Sequence, residues 1–135
     1  MILLDTDVLI DVALDRKPYS QAAGDLIGRL ERSPRMAFVA WHTLSNFYYL
    51  VSPTRGGDDA RNFLMELTRF VLVAPSDTDA FHYAASLHMS DFEDALQVAA
   101  ARACGARVIA TRNVRDFRVS PIPARTPEEV LAELG

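Results

Sequence analysis

The sequence predicts a three-layer α/β/α domain with a central parallel sheet of four or five strands, and three observations carry that expectation. Short, mostly apolar runs of strand length recur along the 135 residues at Ile2–Leu4, Met36–Ala40, Phe70–Val73 and Arg107–Ala110. Between them lie stretches whose apolar residues fall at i, i+3 and i+4, the stripe of a helix packed on a sheet. The runs are continuous rather than alternating, as in strands covered on both faces, and strands that alternate with helices pair in parallel.

The first eleven residues set the pattern. Ile2, Leu3 and Leu4 run into Asp5, and Val8 to Ile10 separate Asp7 from Asp11. Parallel sheets bind ligands at the carboxyl ends of their strands, so Asp5 either faces a crevice or, like Thr6, merely caps the next helix. Asp7 to about Leu14 reads as a short helix and Asp15–Pro18 as a turn. Ser20 to about Arg32 is a longer helix, with Ala22, Ala23, Leu26, Ile27 and Leu30 on one stripe and Pro34 closing it. After the second strand, Trp41–Val51 is an aromatic-rich helix, Ser52–Gly57 breaks the chain, and Asp58–Arg69 returns to helix. Beyond the third strand, Ser76 with Asp79 resembles a capping box. Ser90 with Glu93 forms another, so a helix should begin at Asp91 and run to about Cys104, with Gly105 as its C-cap. The fourth strand ends at Thr111, Arg112 and Asn113. Thr126-Pro-Glu-Glu129 combines an N-cap, Pro at the first helical position and Glu at the third, which starts a final helix to Leu134.

Composition bounds the function. A chain of this length that is 50% hydrophobic is sized for a single domain over residues 1–135. A net charge of −4 argues against coating nucleic acid or anionic membrane by global attraction, so any nucleic-acid contact is local. Cys104 stands alone, which excludes an internal disulfide and fits a reducing compartment. The absence of a signal-peptide pattern and of a membrane-length apolar run leads to a cytoplasmic expectation, with no membrane partner. His42, His82 and His88 show no zinc-type spacing and read as packing or surface residues.

The chemistry-bearing residues are carboxylates. Asp91 and Asp94 are three apart near a helix start, a spacing that projects both from one face. Two readings stay open: a solvated first turn, or a hard cation such as Mg²⁺ or Mn²⁺, which takes oxygen ligands. Asp116 lies just past the fourth strand. If the strand order reverses between the first and fourth strands, Asp5, Asp94 and Asp116 can meet around one ion.

The opening LLDTDVLID, the central DFEDALQVAAA and the late VIATRNVRDF span nearly the whole chain in that order. Together they resemble the PIN-domain family of metal-dependent ribonucleases, which includes the toxins of VapBC-type toxin–antitoxin pairs. The resemblance implies Asp5 as the first metal-binding acid, Asp94 as the helical acid and Asp116 as the last, with Thr111 and Asn113 as polar lining. It places Asp7 where many members have Asn. It further implies an RNA substrate, a homodimer, and an antitoxin whose C-terminal segment enters the acidic site. There is one departure. Many members carry Glu on the helix after the second strand where this chain has Asn46, and an amide brings no charge to a cation and cannot be a general base. Asp91, one turn before Asp94, is the candidate replacement on helical spacing. On this reading Asp5, Asp94 and Asp116 hold the Mg²⁺ or Mn²⁺, and Asp91 tunes it or orients the water. Asn46, Thr111 and Asn113 bond waters or phosphate oxygens. Of the six arginines between residues 101 and 125, Arg112 and Arg115 are the candidates for gripping phosphate.

Two other readings stand beside it. A PIN-like fold that has lost catalysis through Asn46 would be an interaction domain. Asp5-Thr-Asp7-Val8 also matches the DxDx[TV] signature of haloacid-dehalogenase-type phosphatases, with Asp5 as nucleophile, but that mechanism wants a later lysine and Lys17, the only one, comes too early. Trp41, Tyr48 and Tyr49 either stack bases or form core or a dimer face.

Overall fold

The structure, a computed structural model describing residues 1–135, contains five strands: β1 (Ile2–Leu4), β2 (Ala37–Val39), β3 (Val71–Val73), β4 (Val108–Ala110) and β5 (Ala124–Arg125). All pair in parallel, in the order β3-β2-β1-β4-β5. Seven helices connect and cover them: α1 (Thr6–Ala13), α2 (Tyr19–Glu31), α3 (Trp41–Arg55), α4 (Gly57–Leu67), α5 (Thr78–Ser86), α6 (Phe92–Ala103) and α7 (Pro127–Leu134).

The two-residue period of a strand divides the core into two layers. Ile2, Leu4, Val39, Val71, Val108 and Ala110 pack on one face against Leu9, Leu26, Leu30, Phe47, Val51, Leu67 and Val130, which come from α1, α2, α3, α4 and α7. Leu3 and Ile109, one residue out of phase, join Val98, Ala100 and Ala101 of α6 on the other face. Both faces are therefore buried, which is why the strands carry no polar alternation.

Several helix ends differ from the sequence reading, each for a local reason. The break expected over Ser52–Gly57 shrinks to Gly56: α3 continues through Pro53 to Arg55 and stops where Gly56 adopts φ +88°. Pro53 sits in the last turn, so the intrahelical bond it removes is among the last of the helix, which ends two residues later. Ser76 is not the cap of α5; Asp77 is, accepting the Ala80 N–H at 2.8 Å. Nor does Ser90 cap α6. Asp91 does, accepting the Glu93 and Asp94 N–H groups at 2.9 and 3.3 Å, so α6 starts at Phe92 rather than at Asp91. Asp is as good an N-cap as Ser, and in both places the residue one step later has won. The Thr126–Glu129 box forms as read, with Glu129 N–H to Thr126 Oγ1 at 3.2 Å and Thr126 N–H to Glu129 Oε1 at 2.9 Å. Gly105 follows α6 at φ +72°, the left-handed conformation of a helix stop. The short strand β5 had no separate signal in the sequence.

The order of the strands fixes where a site can form. The chain leaves β1 to build β2 and β3 on one side, then returns to lay β4 on the other side of β1. The order reverses between β1 and β4, and a crevice opens beyond their carboxyl ends.

Candidate metal centre

Asp5 follows β1 directly. Its N–H still donates to Ala110 O at 2.9 Å, so the backbone is tied to β4 while the side chain turns into the crevice. It is also the N-cap of α1, and thus fills both roles that the sequence left open. Its Oδ1 accepts the Thr6 N–H at 2.7 Å and the Gln97 amide at 3.1 Å, and its Oδ2 accepts the Thr111 hydroxyl at 2.9 Å. Burial and then the neighbouring charge of Asp7 push its pKa up to about 8, against the hydrogen bonds from Thr111 and Thr6.

Asp7 enters the same crevice from the first turn of α1. The Thr111 hydroxyl, 2.9 Å from Asp5, is also 3.2 Å from Asp7 Oδ2, which accepts in addition from the Arg112 N–H and the Asn113 side-chain amide, both at 3.1 Å. Asp7 Oδ1 is buried and has no partner. Burial is the main cause of the raised pKa of this carboxyl.

The loop after β4 that carries Thr111 and Asn113 is pinned by a bidentate ion pair. Arg112 Nε and Nη2 donate to the two oxygens of buried Asp11 at 2.8 and 3.0 Å, and the guanidinium lies 4.4 Å from the centre of the Tyr19 ring. The Arg112 fork, read from sequence as a phosphate grip, is thus bound within the protein and turned to the α1–α2 side. Arg115 remains exposed; with Arg118 and His88 it lines a cleft of about 370 Å³ that includes Asp116.

Asp94 stands in the first turn of α6. Burial, and then the charges of Asp91, Asp116, Glu93 and Asp7, push it up to about 6. Asp116 reaches this group from a 3₁₀ turn, Val114–Phe117, whose Phe117 is anchored in the core. Asp5, Asp7, Asp94 and Asp116 therefore share one crevice, near enough for their charges to bear on one another, although no three of them close to metal-ligand distance. The expectation that Asp91 and Asp94 project from one helical face fails, because Asp91 precedes the helix and turns its carboxylate onto the backbone. Asn46 lies one turn beyond Thr43 on α3, half-buried. Lys17 is in the exposed turn beyond the far end of α1, away from Asp5.

Sequence reading missed a buried polar cluster behind the acids. Gln97 of α6, Thr43 of α3 and Thr6 of α1 are all buried, with Gln97 and Thr43 fully so. The Gln97 amide donates within reach of Asp5 Oδ1, Thr6 Oγ1 and Thr43 Oγ1 at 3.1, 3.2 and 3.0 Å, and the two threonine hydroxyls are 2.9 Å apart. One signal was available: Gln97 is three residues after Asp94, the only polar side chain on an otherwise aliphatic stretch from Ala95 to Ala101.

The donor chemistry of these residues suits a hard divalent cation, although the structure does not bring three of them to ligand distance of one point. The crevice acids offer only oxygen, the charges of Asp7 and Asp94 raise the pKa of Asp5 and that of Asp116 raises Asp94, Asp7 Oδ1 is a buried acceptor without a donor, and the Arg112 guanidinium is engaged by Asp11. A cleft of about 610 Å³ among Ile27, Arg55, Phe63 and Phe70 lies at the opposite end of the sheet, since Phe70 immediately precedes β3. It holds none of these acids.

Comparison with known proteins agrees with this geometry. The chain is similar in fold to the VapBC2 complex of Rickettsia felis bound to a DNA fragment from its promoter, with TM-score 0.72, 15% identity, and coverage of 93% of this chain and 98% of that one. It is also similar to Mycobacterium tuberculosis VapC20, a sarcin–ricin loop cleaving toxin, with TM-score 0.70, 20% identity, and coverage of 90% and 96%. The DNA-bound VapBC of Salmonella typhimurium gives TM-score 0.68 at 15% identity, with coverage of 93% and 97%. No curated protein matches the sequence. A family model described as PIN domain matches residues 1–115, which include Asp5, Asp7, Asp94 and Thr111, and with the reversed strand order and its acidic crevice this makes the chain a member of the PIN domain family.

Proposed function

We propose that residues 1–135 act as one PIN-like domain, a divalent-metal-dependent endoribonuclease that is the toxin of a toxin–antitoxin pair. The observation that carries this reading is the group of carboxylates in the crevice between β1 and β4, close enough that the charges of Asp7 and Asp94 bear on Asp5 and that of Asp116 on Asp94. Asp5, Asp94 and Asp116 hold the Mg²⁺ or Mn²⁺. When bound, the ion lowers the pKa of a water and neutralises charge developing on the phosphodiester.

The chain's own residues do the positioning. Thr111 spans Asp5 and Asp7 with one hydroxyl, and Asn113 fixes both that hydroxyl and Asp7. Asn46 orients a water or a phosphate oxygen through its amide. Arg115, exposed beside Asp116, pairs with an RNA phosphate, whereas Arg112 acts only by holding its loop. Asp91 supports Asp94 by capping the helix on which it stands, and its charge raises the need for a cation.

The partners follow from the same reading: an RNA substrate, an antitoxin that covers the acidic crevice, and a second copy of the chain in the cytoplasm. Trp41 and Tyr49 of α3 are exposed and supply apolar surface for that homodimer.

A second reading, a PIN-like interaction domain without catalysis, is favoured by Asn46, which contributes no charge, and by acids that do not close to ligand distance. The phosphatase reading loses support, because no lysine stands beside Asp5: Lys17, the only one, lies in the exposed turn past α1. Titration with Mn²⁺ decides between the first two. A nuclease gains thermal stability and cleaves RNA, and both effects vanish in Asp5→Asn and Asp94→Asn. A wild-type chain that neither binds Mn²⁺ nor cuts RNA is the interaction domain.

A further inference from the structure

Asp5 is held unevenly. Its Oδ1 has two donors, the Thr6 N–H and the Gln97 amide, while Oδ2 has only the Thr111 hydroxyl, which lies within reach of Asp7 as well. A carboxylate has room for about four hydrogen bonds. The spare capacity is on Oδ2, on the side of Asp7 and the crevice.

The amide that holds Oδ1 is itself fixed from two other helices. Gln97 Nε2 has two hydrogens and three acceptors in reach, on Asp5, Thr6 and Thr43, while Gln97 Oε1 is buried with no partner at all. A side chain kept for packing alone would not leave its carbonyl oxygen without a donor while two hydroxyls able to donate lie at the other end of the same amide. Turning the amide over would satisfy that oxygen, but it would also set an oxygen against Asp5 Oδ1. The observed orientation therefore serves the carboxylate.

We propose that Gln97 is a positioning residue of the metal site: with Thr6 and Thr43 it clamps Asp5 Oδ1 so that Oδ2 is presented to the divalent ion. This also gives α3 a part in the site through the Thr43 hydroxyl, independent of Asn46. The role presupposes the metal-dependent reading above.

The test uses Mn²⁺ as the probe on the full chain, with its dissociation constant read from free Mn²⁺ by electron paramagnetic resonance and Tm measured in EDTA. Gln97→Met keeps length and volume but removes the donors. It should weaken Mn²⁺ binding roughly tenfold or more, as loss of a group that orients a metal ligand does, with Tm in EDTA close to wild type. In RNA cleavage its loss should fall on kcat rather than KM, because Gln97 is buried and out of reach of substrate. Wild-type Mn²⁺ affinity in Gln97→Met, with Tm lowered, would overturn the proposal and leave Gln97 as a core residue. Should Gln97→Met not fold, Thr43→Val decides, since it removes one anchor of the amide at constant volume: a several-fold loss of affinity supports the clamp and an unchanged affinity refutes it. Asp5→Asn separates the two levels. If wild type and Asp5→Asn bind Mn²⁺ equally, the metal reading fails and the clamp with it. If Asp5→Asn loses the ion and both clamp variants keep it, only the clamp fails.

Discussion

Replacing Arg112 with Ala distinguishes an internal anchor from a substrate grip. Asp11 is 2% exposed at its side chain and receives both of its in-plane donors from Arg112, at 2.8 and 3.0 Å. Removing one partner of such a pair leaves an uncompensated buried charge, a loss of about 3–5 kcal/mol. The contact over Tyr19 is also lost. With an unfolding entropy of about 2.1 cal/mol/K per residue over 135 residues, each kcal/mol corresponds to roughly 3.5 °C, so the drop in Tm should be roughly 10–18 °C. Replacing both partners with leucine should recover most of it, because an apolar pair of similar volume is often as stable as a buried ion pair. Chemical denaturation of the two single variants and the double variant gives the coupling directly, and a coupling energy under about 0.5 kcal/mol refutes the anchor. If Arg112→Ala instead folds as stably as wild type and loses RNA affinity, the guanidinium belongs to the substrate and its place on Asp11 is incidental.

Other consequences can be checked in the same preparations. In EDTA, stability should fall as pH rises from about 4 to about 8, since Asp5 (about 8) and Asp94 (about 6) both lie above the unfolded value of 3.8 and the folded chain binds the extra protons; urea midpoints that rise over that range contradict the burial of these acids. The same series in Asp5→Asn should fall less steeply, and saturating Mn²⁺ should lift the wild-type midpoint most at the alkaline end, where the ion has no proton to displace. Arg115→Ala should raise KM for RNA with kcat nearly unchanged and shrink the slope of log affinity against log salt by about 0.7, the share of one phosphate on a single strand; an unaltered slope removes Arg115 from the interface. Phe47→Ala, at a fully buried ring stacked on Phe63 at 4.8 Å, should lower stability by about 3–5 kcal/mol without touching Mn²⁺ affinity.

Apolar runs and caps made most of the architecture legible. Ile2–Leu4 and Val108–Ala110 read as buried strands because both sheet faces are covered, and Thr126-Pro-Glu-Glu129 spelled out its own cap. The two-residue strand β5 left no periodic trace, and where Ser and Asp were adjacent at a helix start, spacing to a later Glu or Asp could not say which would cap. The sequence pointed to Asp5, Asp94 and Asp116 because acids after strands and on first turns are conspicuous. It could not show that Arg112 is consumed by Asp11, since that pair joins residues 101 apart. Nor could it show Thr6, Thr43 and Gln97 meeting, because three unremarkable polar residues acquire meaning only when three helices pack.

β1 lies between β2 and β4, and its first acid is joined by hydrogen bond to Thr111, 106 residues later. A polypeptide leaving the ribosome has made β1, β2 and β3 long before the strand that completes the crevice exists. Until that strand docks, Asp5 has neither its Thr111 partner nor the companion acid at position 116. On the ribonuclease reading, then, a growing or prematurely terminated chain that lacks β4 is harmless to the RNA around it, and cutting begins only once β4 and the turn after it have been made and docked.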